Sequence, residues 1–421
     1  MNRWLTGLWR HPDFMKLWIG QSISELGTRI SRDGIPLIAV ITLAATPAQM
    51  GLLTAFASIP VLALSLFAGV WVDRLPRRPI MVAMDIGRLL LLLTIPVAAL
   101  TGTLRIELLY VIVALIAIMS LVFDAAYRAI LPALVARDQI VEGNSKLSTT
   151  EALAEIGGPS ITGLLVQWIS APLAVVFDAV SYLFSSISFA LIRTPEPPRE
   201  PRPADTPTGS SVLTEIREGL AVIAADPRLR ALIIGMALRS FFGNFYAALY
   251  DIYLIRDIGL TPALLGVVVS AGGVGALIGA LTADRIQRRF GVGRTITGSL
   301  IVSAAAGILT PLSLWLGALA PVALIAAQII GDGAMLIFFI NETSLRQIIV
   351  PDRLLGRTNA TFAFLAQGIS PVGALVAGGL ATVFGAQVTL WIAVSGILVT
   401  ALWVARSALR RIETVGEVIG S

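Results

Sequence analysis

Four charged residues lie in the first apolar segment of the chain, WIGQSISELGTRISRDGIPLIAVITLAA. They are Glu25, Arg29, Arg32 and Asp33. Their spacing of i, i+4, i+7 and i+8 is that of one helical face. A carboxylate next to a guanidinium can bind and release a proton, since the positive charge tunes how readily the acid ionises. The pattern indicates a proton-coupling site, with ion pairs that only neutralise one another as the alternative.

Glu25 is the better of the two acids for carrying a proton. It has an arginine on one side only, whereas Asp33 has both Arg32 and Arg29 nearby and should be harder to protonate. A charge at the centre of a bilayer costs about 2.5–3.5 kcal/mol on insertion scales. This helix face must therefore line a water-filled cavity or meet other charges within a helix bundle.

A second pair of acids lies in the segment TTEALAEIGGPSITGLL. Glu151 and Glu155 are four residues apart and share a helix face. Glu155 precedes Pro159 by one turn and is a further candidate for proton coupling, together with Asp33. Gly158 and Gly163 flank the proline, and small residues of this kind allow close helix contact.

Other polar residues in apolar segments are candidates for contact with a transported molecule. Asp85 and Arg88 stand at i,i+3, and a local structural pair and a cavity site both remain open. After Arg239, an aromatic stripe of Phe242, Tyr246, Tyr250 and Tyr253 recurs at helical spacing. The usual role of such a stripe is packing or an interfacial belt, and a cavity wall for an aromatic, amphipathic cargo is the alternative. The candidates for cavity charge or substrate contact are Arg29, Arg32, Arg88, Glu151, Arg239, Asn244, Tyr246 and Tyr250. Asp178, Asp332 and Glu342 show no clear arrangement.

Composition places these residues in an integral membrane protein. Of 421 residues, 56% are hydrophobic and 14% charged, whereas soluble domains carry about 25% charged residues. We predict an all-α membrane protein of twelve transmembrane helices, without a removable signal peptide. The predicted spans are 17–44, 49–71, 80–101, 107–126, 148–169, 173–192, 231–254, 263–283, 295–316, 320–340, 358–381 and 387–405.

The basic residues predict the orientation of the chain. With a cytoplasmic N-terminus, all but six of the 31 Lys and Arg residues fall on cytoplasmic segments, as the positive-inside rule requires. The six are Arg105 and Arg256 outside, and Arg29, Arg32, Arg88 and Arg239 within spans. We expect both termini in the cytoplasm of a protein in the cell (plasma or inner) membrane. The net charge of +5 then reflects topology and not a nucleic-acid-binding surface.

The chain divides at its longest polar segment, RTPEPPREPRPADTPTGSS, which is rich in proline and mixed charge. Residues 212–226 follow, and we predict an amphipathic helix on the cytoplasmic membrane surface. The expected domains are an N-terminal six-helix half (1–192), a cytoplasmic linker with this helix (193–230) and a C-terminal six-helix half (231–421).

A short motif occurs once in each half. GVWVDRLPRRP follows the second span and ALTADRIQRRF the eighth. Asp73, Arg74, Arg77 and Arg78 thus recur as Asp284, Arg285, Arg288 and Arg289. Both copies are expected on the loop between the second and third spans of their half. Parallel repeats of this kind are one known transporter architecture.

With this motif the chain resembles the major facilitator superfamily, in which three residues separate a Gly from the Asp-Arg pair. Gly69 fits that position, and Ala280 replaces it in the second copy. The resemblance implies two pseudo-symmetric six-helix bundles that work by alternating access. It also implies a latch, in which Asp73 faces the start of the eleventh span and Arg77 pairs with an acid low in the fourth span, by position Asp124.

Several stretches resemble one branch of that superfamily, the exporters of macrolides and of the siderophore enterobactin. They are FMKLWIGQSISELG, MDIGRLL, FDAAYRAILPALV, GLAVIAADPRLRALI and LRQIIVPDRLLGRTNA. Antiporters of the superfamily carry Gly-Pro-x-x-Gly-Gly in the fifth span. Here Gly158, Pro159 and Gly163 match, and Thr162 replaces one Gly. This partial match favours export over uptake.

The leading prediction is a drug:proton antiporter that exports amphipathic, drug- or siderophore-like molecules and uses the proton gradient, with no cofactor or metal. We expect a monomer whose partners are the small-molecule substrate and the lipid bilayer. One alternative is uptake or flipping of a nutrient or lysolipid, since arginines suit an anionic head group. A polytopic enzyme or sensor is the other, but the chain lacks cysteine and its one histidine, His11, precedes the spans. No phosphate-binding loop for ATP is present in the sequence.

Overall fold

The structure, a computed structural model, describes residues 7–72, 75–195 and 212–411. These residues are almost entirely helical. In chain order the helices are α1 (Pro12–Leu37), α2 (Pro47–Val72), α3 (Arg77–Leu100), α4 (Ile106–Leu134), α5 (Ile140–Ile169), α6 (Ala171–Ala190), α7 (Val212–Ala225), α8 (Pro227–Ile252), α9 (Pro262–Phe290), α10 (Val292–Gly307), α11 (Leu309–Leu312), α12 (Ala320–Ile349), α13 (Asp352–Gly368), α14 (Ser370–Phe384) and α15 (Ala386–Arg406).

Ten helical segments within the described residues are long and apolar enough to cross a membrane. Helices α1 and α5 are also long, with 26 and 30 residues, and they carry most of the charges predicted within the membrane. With these two the helices match the twelve predicted spans. The eleventh span is divided, since α13 ends at Gly368 and α14 begins at Ser370.

Several helices extend beyond the predicted spans. Helix α4 continues to Leu134 instead of 126, α5 begins at Ile140 instead of 148, and α9 continues to Phe290 instead of 283. Hydropathy locates the apolar part of a span, whereas backbone hydrogen bonds carry the helix on through polar turns. The predicted spans therefore stop short of the ends of these helices.

The helices group into two compact units. Unit 1 contains Met1–Ala45, Phe56–Pro203 and Thr261–Gly266, and unit 2 contains Thr46–Ala55, Ala204–Leu260 and Val267–Ser421. The first turns of α2 thus group with unit 2, and the first turns of α9 with unit 1. Hydropathy alone gives no indication of this exchange.

In unit 1, α1 packs against α5 and α6, and α3 packs against α4 and α6. Helix α1 begins at Pro12 because the imidazole Nδ1 of His11 accepts a hydrogen bond from the Phe14 N–H at 3.1 Å. Its first turns lie in an apolar core with Met81, Phe123 and Phe189. Further along, a Cβ on Gly27 would collide with Ser181 of α6, so the two helices cross at close range.

In unit 2, α8 packs against α14 and α15, and α10 packs against α12. Helix α7 occupies the region predicted to be an amphipathic helix. It packs on α13, buries Ile223 in the apolar core and places Glu218 in an ion pair with Arg357. Part of its apolar face therefore contacts protein, and its predicted place on the membrane surface stays a prediction.

The internal repeat extends beyond the predicted motif. Helices α1 and α8 both continue into a five-residue π-helical turn, Ile38–Thr42 and Tyr253–Asp257. Each turn leads into the sequence Thr-Pro-Ala-x-x-Gly, which begins at Thr46 in one case and at Thr261 in the other. The same local sequence thus starts α2 and α9.

The second copy of the repeated motif lies inside a helix and not on a loop as predicted. The last turns of α9 carry Asp284, Arg285, Arg288 and Arg289. Asp284 and Arg288 form an exposed i,i+4 ion pair of 2.7 Å. In the first copy, Arg77 and Arg78 begin α3, whereas Asp73 and Arg74 lie outside the described residues, and Gly69 lies in α2.

Candidate functional site

Arg29 joins α1 to α5. Its Nε lies 3.9 Å from Oε1 of Glu25 on the same helix, and its Nη2 forms an ion pair with Oε2 of Glu155 on α5. One planar guanidinium carries enough donors to serve two carboxylates. The first and fifth spans are thus connected by a cluster of Glu25, Arg29 and Glu155, which we call the Arg29 cluster.

The i,i+4 spacing of Arg29 and Asp33 would allow a second ion pair along α1, but none forms between them in the described part of the chain. Side chains of a helix lean toward its N-terminus, so Arg29 reaches back to Glu25 and not forward to Asp33. Asp33 is partly buried and lies within electrostatic range of Arg32 and Arg29, while Arg32 is exposed. The cluster therefore recruits its second acid from another helix.

Glycine at position 158 allows Glu155 to approach Arg29. A Cβ on Gly158 would lie 2.6 Å from the Cβ of Arg29, whereas the neighbouring Gly157 has open space around its Cβ position. Gly163, one turn later, faces the backbone of Pro262 within the same unit. The close helix contact that the sequence predicts for this Gly-Pro segment thus brings Glu155 within reach of Arg29.

Acids from two further positions surround Glu25. Asp124 on α4 and Glu151 on α5 lie within electrostatic range of its carboxylate, as does Glu155. Gln21 donates a hydrogen bond from Nε2 to Oε2 of Glu25 at 3.4 Å. The Glu25 side chain is 19% exposed and that of Glu155 is 53% exposed. Three other acids thus surround the half-buried Glu25, and one of them, Glu155, is exposed.

Asp124 does not form the predicted ion pair with Arg77. Its carboxylate lies within electrostatic range of Arg88 and Arg128. The Nη1 of Arg77 donates to the carbonyl oxygen of Ala129 at 2.8 Å, more than one helical turn away from Asp124. The predicted latch of Asp73, Arg77 and Asp124 therefore stays a prediction.

A second charged cluster is completely buried in unit 1. Arg88 forms an ion pair with Asp85, and its guanidinium lies between the rings of Phe123 and Tyr182, 4.3 Å from each centroid. Asp178 on α6 accepts a hydrogen bond from Ser181 at 3.0 Å and lies within electrostatic range of Arg88. Of the two roles left open for Asp85 and Arg88, this burial favours the structural one.

Unit 2 contains a cavity of about 410 Å³ between α8, α12 and α13, which we call the unit 2 cavity. Its lining consists of Met236, Arg239, Ser240, Phe338, Phe339, Glu342, Thr343, Arg346, Asn359, Ala363, Ala366 and Gln367. Of the predicted substrate-contact residues, Arg239 lines this cavity. Its Nε donates to Sδ of Met335 at 2.7 Å.

The other candidates on α8 connect helices. Asn244 donates from Nδ2 to Oγ of Ser370 on α14 at 2.5 Å, and the Tyr246 hydroxyl donates to the carbonyl oxygen of Gly307 at 3.1 Å. The Tyr250 hydroxyl is buried and forms no hydrogen bond within the described chain; Asp332 lies within its electrostatic range. These contacts favour packing as the role of the aromatic stripe.

One anchoring residue escaped the sequence analysis. Asp13 accepts hydrogen bonds from Nζ of Lys16 at 2.7 Å and from the Thr194 N–H and hydroxyl at 2.7 and 2.6 Å. Burial opposes ionisation, but these hydrogen bonds outweigh it and hold the pKa of Asp13 well below its usual range. The i,i+3 spacing of Asp13 and Lys16 could have predicted their ion pair. Nothing in the sequence indicates the contact between Asp13 and Thr194.

No arrangement of three or more His, Asp or Glu side chains suited to a metal ion occurs in the described residues. The charged residues at the Arg29 cluster alternate in sign and bind one another. The chemistry that this arrangement can support is proton binding and ion-pair exchange.

The sequence and the fold are both similar to those of known proteins. The family profile described as transmembrane secretion effector matches residues 7–418. The multidrug efflux pump Tap of Mycolicibacterium fortuitum is 26% identical over 343 residues, 79% of this chain and 80% of that protein. Macrolide efflux protein A of Streptococcus pyogenes is 23% identical over 269 residues, 64% of this chain and 65% of that protein.

Among solved structures, a bacterial homologue of the iron transporter ferroportin in an inward-facing state has the same fold. The TM-score is 0.73 at 16% sequence identity, and the match covers 95% of this chain and 100% of that chain. The comparison supports twelve helices as the architecture.

Proposed function

We propose, since the chain belongs to the transmembrane secretion effector family of the major facilitator superfamily, that it is a proton-coupled exporter of amphipathic small molecules that works by alternating access. The chain is a multi-pass membrane transporter and not an enzyme. Relatives named as efflux pumps support the outward direction. Fold-level analogy supports transport but does not identify the cargo.

The observation that carries proton coupling is the Arg29 cluster. One guanidinium pairs with two carboxylates, which leaves one negative charge in excess. A proton on Glu25 removes that excess and leaves Arg29 paired with Glu155 alone. Because the two acids belong to different helices, proton binding and the contact between α1 and α5 are energetically linked.

The proton gradient supplies the energy, and no cofactor takes part. A proton that crosses a membrane potential of 100 mV releases about 2.3 kcal/mol. This suffices to concentrate an uncharged cargo by roughly 40-fold, because each 1.4 kcal/mol corresponds to a factor of ten. We place both termini in the cytoplasm of the plasma or inner membrane, so protons enter as cargo leaves.

The test uses purified protein in liposomes with an imposed pH gradient and a panel of drugs and siderophores. Glu25→Gln should abolish the dependence of transport on the gradient, and Glu155→Gln should weaken it. Glu107→Gln, an exposed acid at the start of α4, is the matched control and should leave transport unchanged. If both Glu25→Gln and Glu155→Gln transport every cargo like the wild type, the proton-site assignment is wrong.

A second candidate function is uptake or flipping of an anionic nutrient or lysolipid on the same fold. The favouring observation is Arg239, whose guanidinium faces the unit 2 cavity with no carboxylate in ion-pair contact among the described residues. The liposome assay separates the two functions by direction, since an exporter moves cargo against the direction of proton flow.

A further inference from the structure

The unit 2 cavity has chemistry that the proton-coupling cluster does not use. We propose that it is a binding site for an amphipathic organic anion, in which Arg239 binds a carboxylate and the aromatic wall holds the apolar body. The inference rests on the proposed function, because the bound anion would be the transported cargo. It adds a substrate class and a residue that recognises it.

Arg239 is the group on which this site depends. A guanidinium has five N–H donors, and the contact made by Arg239 is from Nε to the weak acceptor Sδ of Met335. The guanidinium carbon lies 5.7 Å from the ring centroid of Phe339. Asp332 is within electrostatic range, but no acid reaches ion-pair distance in the described part of the chain. The terminal nitrogens of Arg239 can therefore bind an anion in the cavity.

The opposite wall contributes no competing negative charge. Glu342 is almost completely buried, and its Oε1 lies 3.4 Å from Nη1 of Arg346. The two charges neutralise each other, and the Arg346 guanidinium also lies 4.8 Å from the ring of Phe362. The cavity lining thus has one positive charge in excess, that of Arg239, which selects against cations.

The rest of the lining suits an amphipathic molecule. Met236, Phe338 and Phe339 provide apolar and aromatic surface, while Asn359 and Gln367 add amide groups. A planar guanidinium binds a carboxylate with two parallel hydrogen bonds. The volume of about 410 Å³ is within the range of small-molecule sites, about 300–1,000 Å³. One compact molecule, or one arm of a larger one, fits.

The test measures equilibrium binding of two fluorescent probes to the full-length protein in phosphatidylcholine nanodiscs. Dansylglycine carries a carboxylate, and dansylglycinamide has nearly the same shape without the charge. The wild type should bind dansylglycine about tenfold more tightly, the effect of a hydrogen-bonded charge. Arg239→Gln should reduce that ratio to about one, and Arg239→Lys should retain part of it.

Two further variants sharpen the test. Glu342→Gln removes the negative charge of the lining and should increase the preference for dansylglycine. Arg406→Gln, an exposed arginine at the end of α15 and away from the cavity, should leave the ratio unchanged. Each variant is first checked for a single size-exclusion peak and a wild-type melting temperature. Equal binding of the two probes by the wild type, or an unchanged preference in Arg239→Gln, would overturn the proposal.

The same assay identifies the source of the anion. If nanodiscs that contain phosphatidylglycerol weaken dansylglycine binding, and this effect requires Arg239, a lipid head group competes for the site. If they have no effect, the site takes a free organic anion. Both outcomes keep Arg239 as the anion-binding group.

Failure of this inference is distinguishable from failure of the proposed function. Probe binding is measured without a gradient and does not involve Glu25 or Glu155. Gradient-driven export without Arg239-dependent binding would overturn the cavity assignment alone. Arg239-dependent binding in a protein that lacks gradient-driven export would overturn the proton-coupled mechanism alone.

Discussion

At the scale of single residues, Arg29 shows how a charge in an apolar segment is stabilised by two acids. Helical geometry directs its side chain toward Glu25, and the crossing of α5 supplies Glu155 as the second acid. A lone charge would be costly in this position. The same pairing that makes the charge tolerable also creates an ion pair that a proton can break.

Replacing Arg29 by Lys tests the need for a planar, two-sided donor. Lysine keeps the charge but concentrates it at one ammonium, so it should serve only one of the two acids. We expect gradient-driven transport to fall by about tenfold with unchanged abundance in the membrane. Arg105→Lys, at an exposed position just before α4, is the control. Transport by Arg29→Lys at the wild-type rate would contradict the two-acid role.

Asp13 predicts a pH dependence of stability. Because its pKa is lowered in the folded protein, the carboxylate stabilises the fold above the unfolded pKa of about 3.9, and this contribution is lost as the pH falls below that value. Asp13→Asn should lower the free energy of unfolding at pH 7 by about 2 kcal/mol.

The measurement is the melting temperature of purified protein as a function of pH. The difference between wild type and Asp13→Asn should be largest near neutral pH and shrink below pH 4, about the unfolded pKa. Asp138→Asn, in an exposed turn before α5, is the control. A difference that is constant with pH would show that the charge of Asp13 does not stabilise the fold.

At the scale of helices, adjacent glycines on α5 have different environments. Gly158 lies against the Cβ of Arg29, and Gly157 faces open space. Small residues bring helices into contact, so the site depends on one of these glycines and not on the other.

Gly158→Ala and Gly157→Ala should therefore differ in their effects. The methyl group at 158 forces α5 away from α1, which should destabilise the protein by about 1–3 kcal/mol and impair transport. At 157 the added helix propensity should be neutral or stabilise by up to about 1 kcal/mol. Melting temperature and liposome transport measure both. Equal behaviour of the two variants would show that the α1–α5 contact does not position Glu155.

At the scale of the whole molecule, the two halves share local sequences but carry different chemistry. The Thr-Pro-Ala-x-x-Gly turn and the Asp-Arg motif occur in both. The acids of the Arg29 cluster belong to unit 1, whereas the cavity with Arg239 belongs to unit 2. If both proposals hold, proton binding belongs to one half and recognition of the cargo to the other.

The distribution of basic residues predicts the orientation of the whole chain. Green fluorescent protein fused after Ser421 should fluoresce, because that end should lie in the cytoplasm. Alkaline phosphatase inserted between α3 and α4, near Arg105, should be active because that loop should lie outside. The reverse pattern would contradict the predicted topology.

The sequence by itself determined the features that depend on local order along the chain. Runs of about twenty apolar residues mark the spans, lysines and arginines bias the orientation, and i,i+4 spacing places Glu25 beside Arg29. Each of these follows from helix geometry or from the cost of moving charge into a bilayer. Even so, the predicted spans end before α4 and α9 do and begin after α5 does, since hydropathy does not detect a helix beyond the membrane.

Only the tertiary structure decided which helix faces meet. Glu155, and not Asp33, is the second partner of Arg29, Asp124 lies within electrostatic range of Arg88 and Arg128, and Asp13 joins the start of α1 to Thr194. Arg239 joined the lining of a cavity to which three helices contribute. No spacing within one helix encodes such contacts, because they depend on how far and at what angle separate helices approach each other.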